Sequence, residues 1–156
     1  MNGAVLLGRW NRLSRWPGGA WLFSRLVGFR VPYSGTIGAR IRELAPGYAR
    51  LTLRDRRRVR QHLGSVHAVA LINLGELASG LALTAALPPG FRSIVLSLSA
   101  EYFRKARGEL VAESRVVLRE GAGPVDQEVE ARISNAAGEQ VAVVRTVWRI
   151  GPRSDG

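Results

Sequence analysis

The hydrophobic pattern changes near residue 36, where apolar and polar residues begin to alternate with the period of a half-buried strand. The last alternating stretch is apolar on both faces for much of its length, so we expect it to lie inside a sheet. The alternation predicts six strands, at 36–44, 48–54, 92–103, 109–119, 127–134 and 140–150.

One long apolar-rich stretch, residues 67–87, separates the second of these strands from the third. It ends at Pro88-Pro89-Gly90, and consecutive prolines stop a helix because they cannot donate backbone hydrogen bonds. We therefore predict one central helix. Two strands before the helix and four after it favour an α+β fold in which an antiparallel sheet holds a single buried helix.

The first 32 residues predict two short amphipathic helices, at 3–16 and 20–27, with a break at Pro17-Gly18-Gly19. Tryptophans and arginines interleave there, a pattern that suits peripheral membrane contact through residues 1–30. A helix packed across the domain gives the same pattern and is the interpretation we favour. We expect a basic amphipathic helical extension over 1–32, one α+β domain over 33–150 and a flexible tail over 151–156.

The composition fits one small domain with a single core, since the chain has 156 residues. It contains no cysteine, which excludes disulfides and thiolate metal sites, and its two histidines argue against a multi-histidine metal site. No apolar run reaches the ~18 residues that a membrane span needs. Arg9 and Arg12 interrupt the first apolar run, which argues against a secretory signal, whereas an acid-free, arginine-rich start also resembles an organellar transit peptide. We expect a soluble cytoplasmic protein without a metal or cofactor.

Positive charge is concentrated in the first two-fifths of the chain. Residues 1–62 carry thirteen arginines against Glu43 and Asp55, whereas the remaining residues carry ten basic and ten acidic groups. This asymmetry indicates an anionic partner: a nucleic acid, a lipid surface or a phosphorylated ligand. Solvated arginines without a partner are the equally weighted alternative. A nucleic acid is the least supported partner, because no RNA-binding aromatic signature, zinc finger or basic leucine zipper accompanies the charge.

Most residues of the central helix are Ala, Leu, Ile or Val. The exceptions Asn73, Glu76, Gly80 and Thr84 fall on one stripe of its surface. Burial of a carboxylate is costly unless it is paired or functional. Desolvation would also raise the pKa of Glu76 toward the range in which a general base works near neutral pH. The alternative is that Glu76 points to solvent or pairs with an arginine.

A polar, glycine-containing segment, residues 61–67, leads into this helix. The free N–H groups at a helix start stabilise negative charge that develops on a carbonyl oxygen. Glu76 lies about two and a half turns further along, roughly 12–14 Å at about 1.5 Å per residue. Both groups cannot reach one carbonyl within a single chain, so we infer that a cooperating glutamate would come from a second copy.

The pattern Gln61-x-x-Gly64-x-x-His67-Ala68, followed by Glu76, resembles the hotdog-fold acyl-CoA thioesterases, especially the phenylacetate-pathway and 4-hydroxybenzoyl-CoA types. Those enzymes have Asn or Gln, then Gly and His-Gly-Gly, then Asp or Glu at this spacing on the central helix. The likeness in element order covers about residues 36–150. The resemblance implies a hotdog fold and hydrolysis of an acyl-CoA thioester by a dimer or larger homo-oligomer.

The resemblance also implies roles for individual residues. Glu76 would be the nucleophile or general base, and the N–H of Ala68 would polarise the carbonyl oxygen. Gln61 would orient the thioester or the lytic water, and His67 would support the loop, although a helix-capping histidine is the interpretation we favour. Dimers of the family place the glutamate of one subunit beside the helix start of the other. Further candidates are Asn73 in catalysis and Gly64 and Gly80 in substrate binding.

The chain departs from the family pattern at the helix start and one turn after the acid. His67-Ala68-Val69 replaces His-Gly-Gly, which restricts the approach of backbone to substrate. Gly80 stands where some relatives have Ser or Thr, and Asn73 and Ser79 are candidates to compensate. A non-catalytic acyl-CoA-binding protein is therefore the alternative function.

Two groups of basic residues are candidates for binding the phosphates of coenzyme A. Arg104, Lys105 and Arg107 follow the third strand, in a segment similar to one found in uncharacterised hotdog-domain proteins. Guanidinium and ammonium groups bind phosphate well. The alternative is a charged strand end that keeps a sheet edge soluble. A second candidate patch, formed by Arg56, Arg57 and Arg58, lies before the helix.

Overall fold

The computed structural model describes residues 2–119 and 123–153. In these residues the three predicted helices and six predicted strands follow one another in the predicted order, and one unpredicted short helix lies before the first strand. The elements are α1 Gly3–Leu13, α2 Gly19–Arg30, α3 Pro32–Gly35, β1 Arg40–Ala45, β2 Tyr48–Arg54, a 3-10 turn Arg57–Val59, α4 Ala68–Ala86, β3 Phe91–Tyr102, β4 Glu109–Arg115, β5 Val125–Ser134 and β6 Gln140–Pro152.

The six strands form one antiparallel sheet in the order β1-β2-β4-β5-β6-β3. Strand β6 lies between β5 and β3, so the prediction that the last strand is interior is confirmed. Helix α4 contacts all six strands. The predicted α+β hotdog architecture, in which an antiparallel sheet wraps around one long helix, is therefore confirmed.

Helix α4 is the apolar centre of the domain. Leu74, Ala78 and Leu83 are fully buried, and Gly75 lies so close to the side chain of Val144 on β6 that a Cβ at position 75 would collide with it. In the part of the chain that the structure describes, α4 is the one helix long and apolar enough to cross a membrane, and it is largely buried inside the domain. Its hydropathy follows from its place in the core.

The N-terminal helices pack onto the domain with only part of their apolar surface. Leu6 and Trp10 of α1 are buried, and the ring of Trp10 meets Phe23 edge-on at 5.2 Å between centroids. Helix α2 packs against β1, where the N–H of Ile41 donates to Ser24 Oγ at 2.9 Å. Trp10 is therefore packed against the domain, as the interpretation that we favoured for these helices expects, whereas Trp16 is exposed.

Several predicted boundaries differ from the observed ones. Neighbouring helices and the pairing between strands, not the local pattern alone, decide where an element begins and ends. The first strand begins at Arg40 because α3 occupies residues 32–35. Strand β4 ends at Arg115, where its pairing with β2 ends. Strand β6 continues to Pro152, opposite Phe91 of β3, so the first two residues of the expected tail are strand. The last three, 154–156, lie outside the described residues.

Candidate functional site

Helix α4 presents Glu76 to a cavity of about 350 Å³ between α2 and the sheet. The walls are mostly apolar, and this surrounding desolvates the carboxylate and raises the pKa of Glu76 above its usual range. Within residues 2–119 and 123–153, none of the ion pairs that we find includes Glu76, although Arg30, Arg92 and Arg153 line the same cavity. The cavity is lined by Val27, Arg30, Val31, Glu76, Leu77, Gly80, Leu81, Thr84, Leu87, Phe91, Arg92, Ser93, Trp148 and Arg153.

Gly80 allows the ring of Trp148 to pack against α4 beside Glu76. A Cβ at position 80 would lie 3.1 Å from Trp148 Cη2 and 3.9 Å from Glu76 Oε1. The indole Nε1–H donates to Ser79 Oγ at 3.4 Å, and that hydroxyl donates to the Glu76 carbonyl oxygen at 3.0 Å. Ser79, the candidate to compensate for a hydroxyl one turn after the acid, is fully buried behind the ring and is not among the residues that line the Glu76 cavity. Sequence reasoning missed Trp148, because nothing local distinguishes one aromatic residue on an interior strand.

The predicted stripe on α4 is divided between two cavities. Glu76, Gly80 and Thr84 share the first, whereas Asn73 lies in a second cavity of about 430 Å³ beside the helix start. The amide Nδ2 of Asn73 donates to the carbonyl oxygen of Tyr33 at 3.4 Å, so α3 crosses the stripe at this point. Among the described residues, no donor reaches the buried Asn73 Oδ1.

The segment before α4 is a compact hydrogen-bonded loop. Gln61 Nε2 donates to Ser65 Oγ at 2.9 Å, and Gln61 Oε1 accepts the N–H of Leu63 at 3.0 Å. Gly64 has a φ of +72°, the left-handed conformation that favours glycine, and its N–H donates to the Gln61 carbonyl oxygen. In a single chain the amide of Gln61 therefore holds its own loop together.

The start of α4 is exposed at Ala68 and Val69. His67 is the N-cap residue, and its Nδ1 accepts the N–H of Val69 at 3.1 Å. We find no acceptor for the Ala68 N–H in the described part of the chain, as is general for the first turn of a helix. This donor lies about eight residues, or ~12 Å, from Glu76 along the helix axis.

Strand β3 connects the two separated parts of the site. At one end Phe91 and Ser93 line the Glu76 cavity, and at the other end the Tyr102 hydroxyl donates to the Ala68 carbonyl oxygen at 3.3 Å. The strand pairs with β6 on one side and lies at the edge of the sheet. It exposes a row of large apolar side chains, which are Phe91, Ile94, Leu96, Leu98 and Tyr102.

The basic loop after β3 lies against the loop before α4. The N–H of Val66 donates to the Ala106 carbonyl oxygen at 2.8 Å. Arg104 forms an exposed ion pair with Glu139 at 2.8 Å. Lys105 and Arg107 are exposed, and no ion pair to either is found among the described residues.

Asp55 joins this basic loop to the 3-10 turn. Its carboxylate accepts hydrogen bonds from Arg60 Nε at 2.6 Å and from the Gly108 N–H at 3.1 Å. The hydrogen bond from Arg60 is the main reason that the pKa of Asp55 lies below its usual range, and the positive charge of Arg107 contributes. Of the second basic patch, Arg56 and Arg58 line another cavity, whereas Arg57 does not.

Comparison with known proteins gives relatives over most of the chain. The family model described as "Domain of unknown function (DUF4442)" matches residues 19–150. A Halobacterium salinarum protein named "Putative esterase VNG_1336C" is 29% identical over 122 residues, which are 73% of this chain and 81% of that protein. A structural-genomics crystal structure is 32% identical, covers 84% of this chain and 88% of its own, and has a TM-score of 0.75.

Solved structures named as thioesterases have the same fold. A Pseudomonas aeruginosa protein described as "Probable Thioesterase" is 24% identical over 83% of this chain and 93% of its own, with a TM-score of 0.74. A Staphylococcus aureus thioesterase is 22% identical over 78% of this chain and 99% of its own, with a TM-score of 0.68. That protein was crystallised once with alanine replacing a glutamine and once with alanine replacing a glutamate fifteen positions later.

Proposed function

The chain belongs to the DUF4442 domain family, and on that premise we propose that it hydrolyses acyl-coenzyme A thioesters, with Glu76 of one chain acting beside the start of α4 of a second copy. The observation that carries this proposal is a half-buried carboxylate with a raised pKa in a cavity at the edge of the sheet. The fold shared with solved thioesterases supports the reaction class. The spacing between Gln61 and Glu76 is also fifteen positions, as between the glutamine and the glutamate replaced in the Staphylococcus aureus thioesterase.

A second copy brings the separated groups together if the two β3 edges pair antiparallel. Such pairing sets the Phe91 end of one β3 against the Tyr102 end of the other. Because Phe91 borders the Glu76 cavity and Tyr102 touches Ala68, the glutamate of each chain then lies near the helix start of its neighbour. The pairing also gives hydrogen-bond partners to the backbone groups along the β3 edge, and it brings the exposed apolar side chains of the two β3 strands next to each other.

In the reaction that we propose, the Glu76 carboxylate takes a proton from water, and the water oxygen attacks the thioester carbon. Negative charge develops on the carbonyl oxygen, which accepts the N–H of Ala68 from the second copy. The C–S bond then breaks and the thiolate takes the proton back from Glu76, giving a carboxylic acid and free coenzyme A. Direct attack by the carboxylate, through an acyl anhydride, uses the same groups. In this proposal Lys105 and Arg107, in the loop beside the helix start, bind the phosphates of coenzyme A.

The test is a thioesterase assay over short, long and aromatic acyl-CoAs that compares wild type with Glu76→Gln. Loss of a general base should lower kcat about 10²–10⁴-fold. Glu128→Gln makes the same chemical change on an exposed site of β5 and should leave kcat unchanged. Turnover retained by Glu76→Gln would remove Glu76 from the mechanism, and a stable monomer in light scattering would contradict the site between two copies.

Val69 favours a second candidate function, a binding protein without catalysis. Its exposed side chain stands at the helix start where the family pattern has glycine, and it narrows the approach to the Ala68 N–H. This alternative predicts saturable binding of acyl-CoA with no turnover of any substrate in the panel. Val69→Gly should then create measurable hydrolysis.

A further inference from the structure

A third cavity, of about 570 Å³, lies between α2, α3 and β1. Four arginines from three separate segments line it: Arg25, Arg40, Arg56 and Arg58. No aspartate or glutamate is among its lining residues. The guanidinium of Arg58 rests directly against Gly38, which has a φ of +67° and no side chain to obstruct it.

These four arginines have no carboxylate partner among the described residues. Ion pairs in residues 2–119 and 123–153 include Arg42, Arg50, Arg54, Arg60, Arg104, Arg132, Arg145 and Arg149, and none of the four cavity arginines belongs to that group. Four like charges around one cavity repel each other, and a bound anion would relieve that repulsion. The planar guanidinium binds the oxygens of phosphates and carboxylates in pairs, and four such groups around one cavity favour a multiply charged anion such as a pyrophosphate over a single carboxylate.

Aromatic side chains form part of the same cavity. Trp21 and Phe29 of α2 line it, and Phe29 is 86% exposed. Between these two aromatic residues on the same helix, Leu22 and Leu26 are exposed as well. Aromatic rings beside cations suit either a stacked base or the boundary between lipid headgroups and acyl chains.

We propose that this cavity, which we call the arginine cavity, binds a phosphate-bearing ligand. The phosphates come either from the nucleotide end of a coenzyme or from the headgroups of an anionic lipid surface. The arginine cavity shares Val27, Val31 and Leu77 with the Glu76 cavity, so an occupant would lie next to the candidate catalytic site. The proposal does not depend on hydrolysis, and its test measures binding alone.

The test is calorimetric titration of the full chain with inorganic pyrophosphate, compared with Arg25→Ala/Arg58→Ala. Because two of the four guanidinium groups are removed, we expect the pyrophosphate Kd to rise at least tenfold. Arg119→Ala/Arg132→Ala removes the same charge from exposed positions outside the cavity and should change Kd less than twofold. Arg25→Ala/Arg56→Ala is a second cavity variant that leaves the Arg58 contact with Gly38 intact.

Competition distinguishes the two sources of phosphate. Free coenzyme A that displaces pyrophosphate, with no binding to vesicles, assigns the site to the coenzyme. Sedimentation with vesicles of phosphatidylcholine containing 30% phosphatidylglycerol, blocked by pyrophosphate and lost in the cavity variants, assigns it to lipid headgroups. The proposal is overturned if the wild type binds neither pyrophosphate nor these vesicles, or if the cavity and control variants lose affinity equally.

Discussion

The Glu76 cavity and the arginine cavity share one wall, and both have arginines among their lining residues, but only the first contains a carboxylate. Glu76 is half-buried among apolar side chains of that cavity, and this partial burial raises its pKa. The second collects four cations that remain largely solvated. Burial changes the proton affinity of a charged group, whereas clustering of solvated charges changes what the surface attracts. Val27, Val31 and Leu77 line both cavities, so they lie between the site that we propose for hydrolysis and the site that we propose for phosphate binding.

Replacing the tryptophan of each cavity should give the largest difference between them. Trp148 is 7% exposed and packs on Gly80, so Trp148→Ala should lower the free energy of unfolding by about 3–5 kcal/mol. Trp21 lines the arginine cavity and is 53% exposed, so Trp21→Ala should change it by less than about 1 kcal/mol. Urea denaturation measures both. Equal losses of unfolding free energy in the two variants would contradict this difference in burial between Trp148 and Trp21.

The pH dependence of hydrolysis should show the desolvation of Glu76. The carboxylate is the active form, so kcat should fall about tenfold for each pH unit below its pKa. Because burial raises that pKa, the fall should begin above the ordinary glutamate value of 4.5. Stopped assays across a pH series measure this limb. Undiminished turnover at pH 4.5 would contradict a buried base.

A smaller effect should appear in stability. A glutamate whose folded pKa is raised binds more protons in the native than in the unfolded state. Stability therefore falls as pH rises from the unfolded pKa to the folded one. Glu76→Gln carries no charge, so it should be more stable than wild type at neutral pH and equal to it below the unfolded pKa. Thermal melts at both pH values measure the difference, and Glu128→Gln, at an exposed site, should show none.

The candidate site was partly predictable because some of its signals are local. The position of Glu76 on an apolar helix follows from helical periodicity, and the cap at His67 follows from the polar residues before the helix. The separation of Asn73 from Glu76 was not predictable, because α3 divides the stripe and no pattern marked α3 as a helix. The ion pair between Arg104 and Glu139 joins segments 35 residues apart, which no local pattern reports.

The sequence by itself determined the element order, the central helix, the interior position of the last strand and the concentration of arginines before residue 63. These properties depend on periodicity, turn residues and composition, all of which are local. Only the tertiary structure decided which arginines are paired, that Trp148 closes on Gly80, and that Arg25, Arg40, Arg56 and Arg58 surround one cavity. Those results depend on how distant segments pack, because a side chain's environment is set by neighbours in space, not by neighbours in sequence.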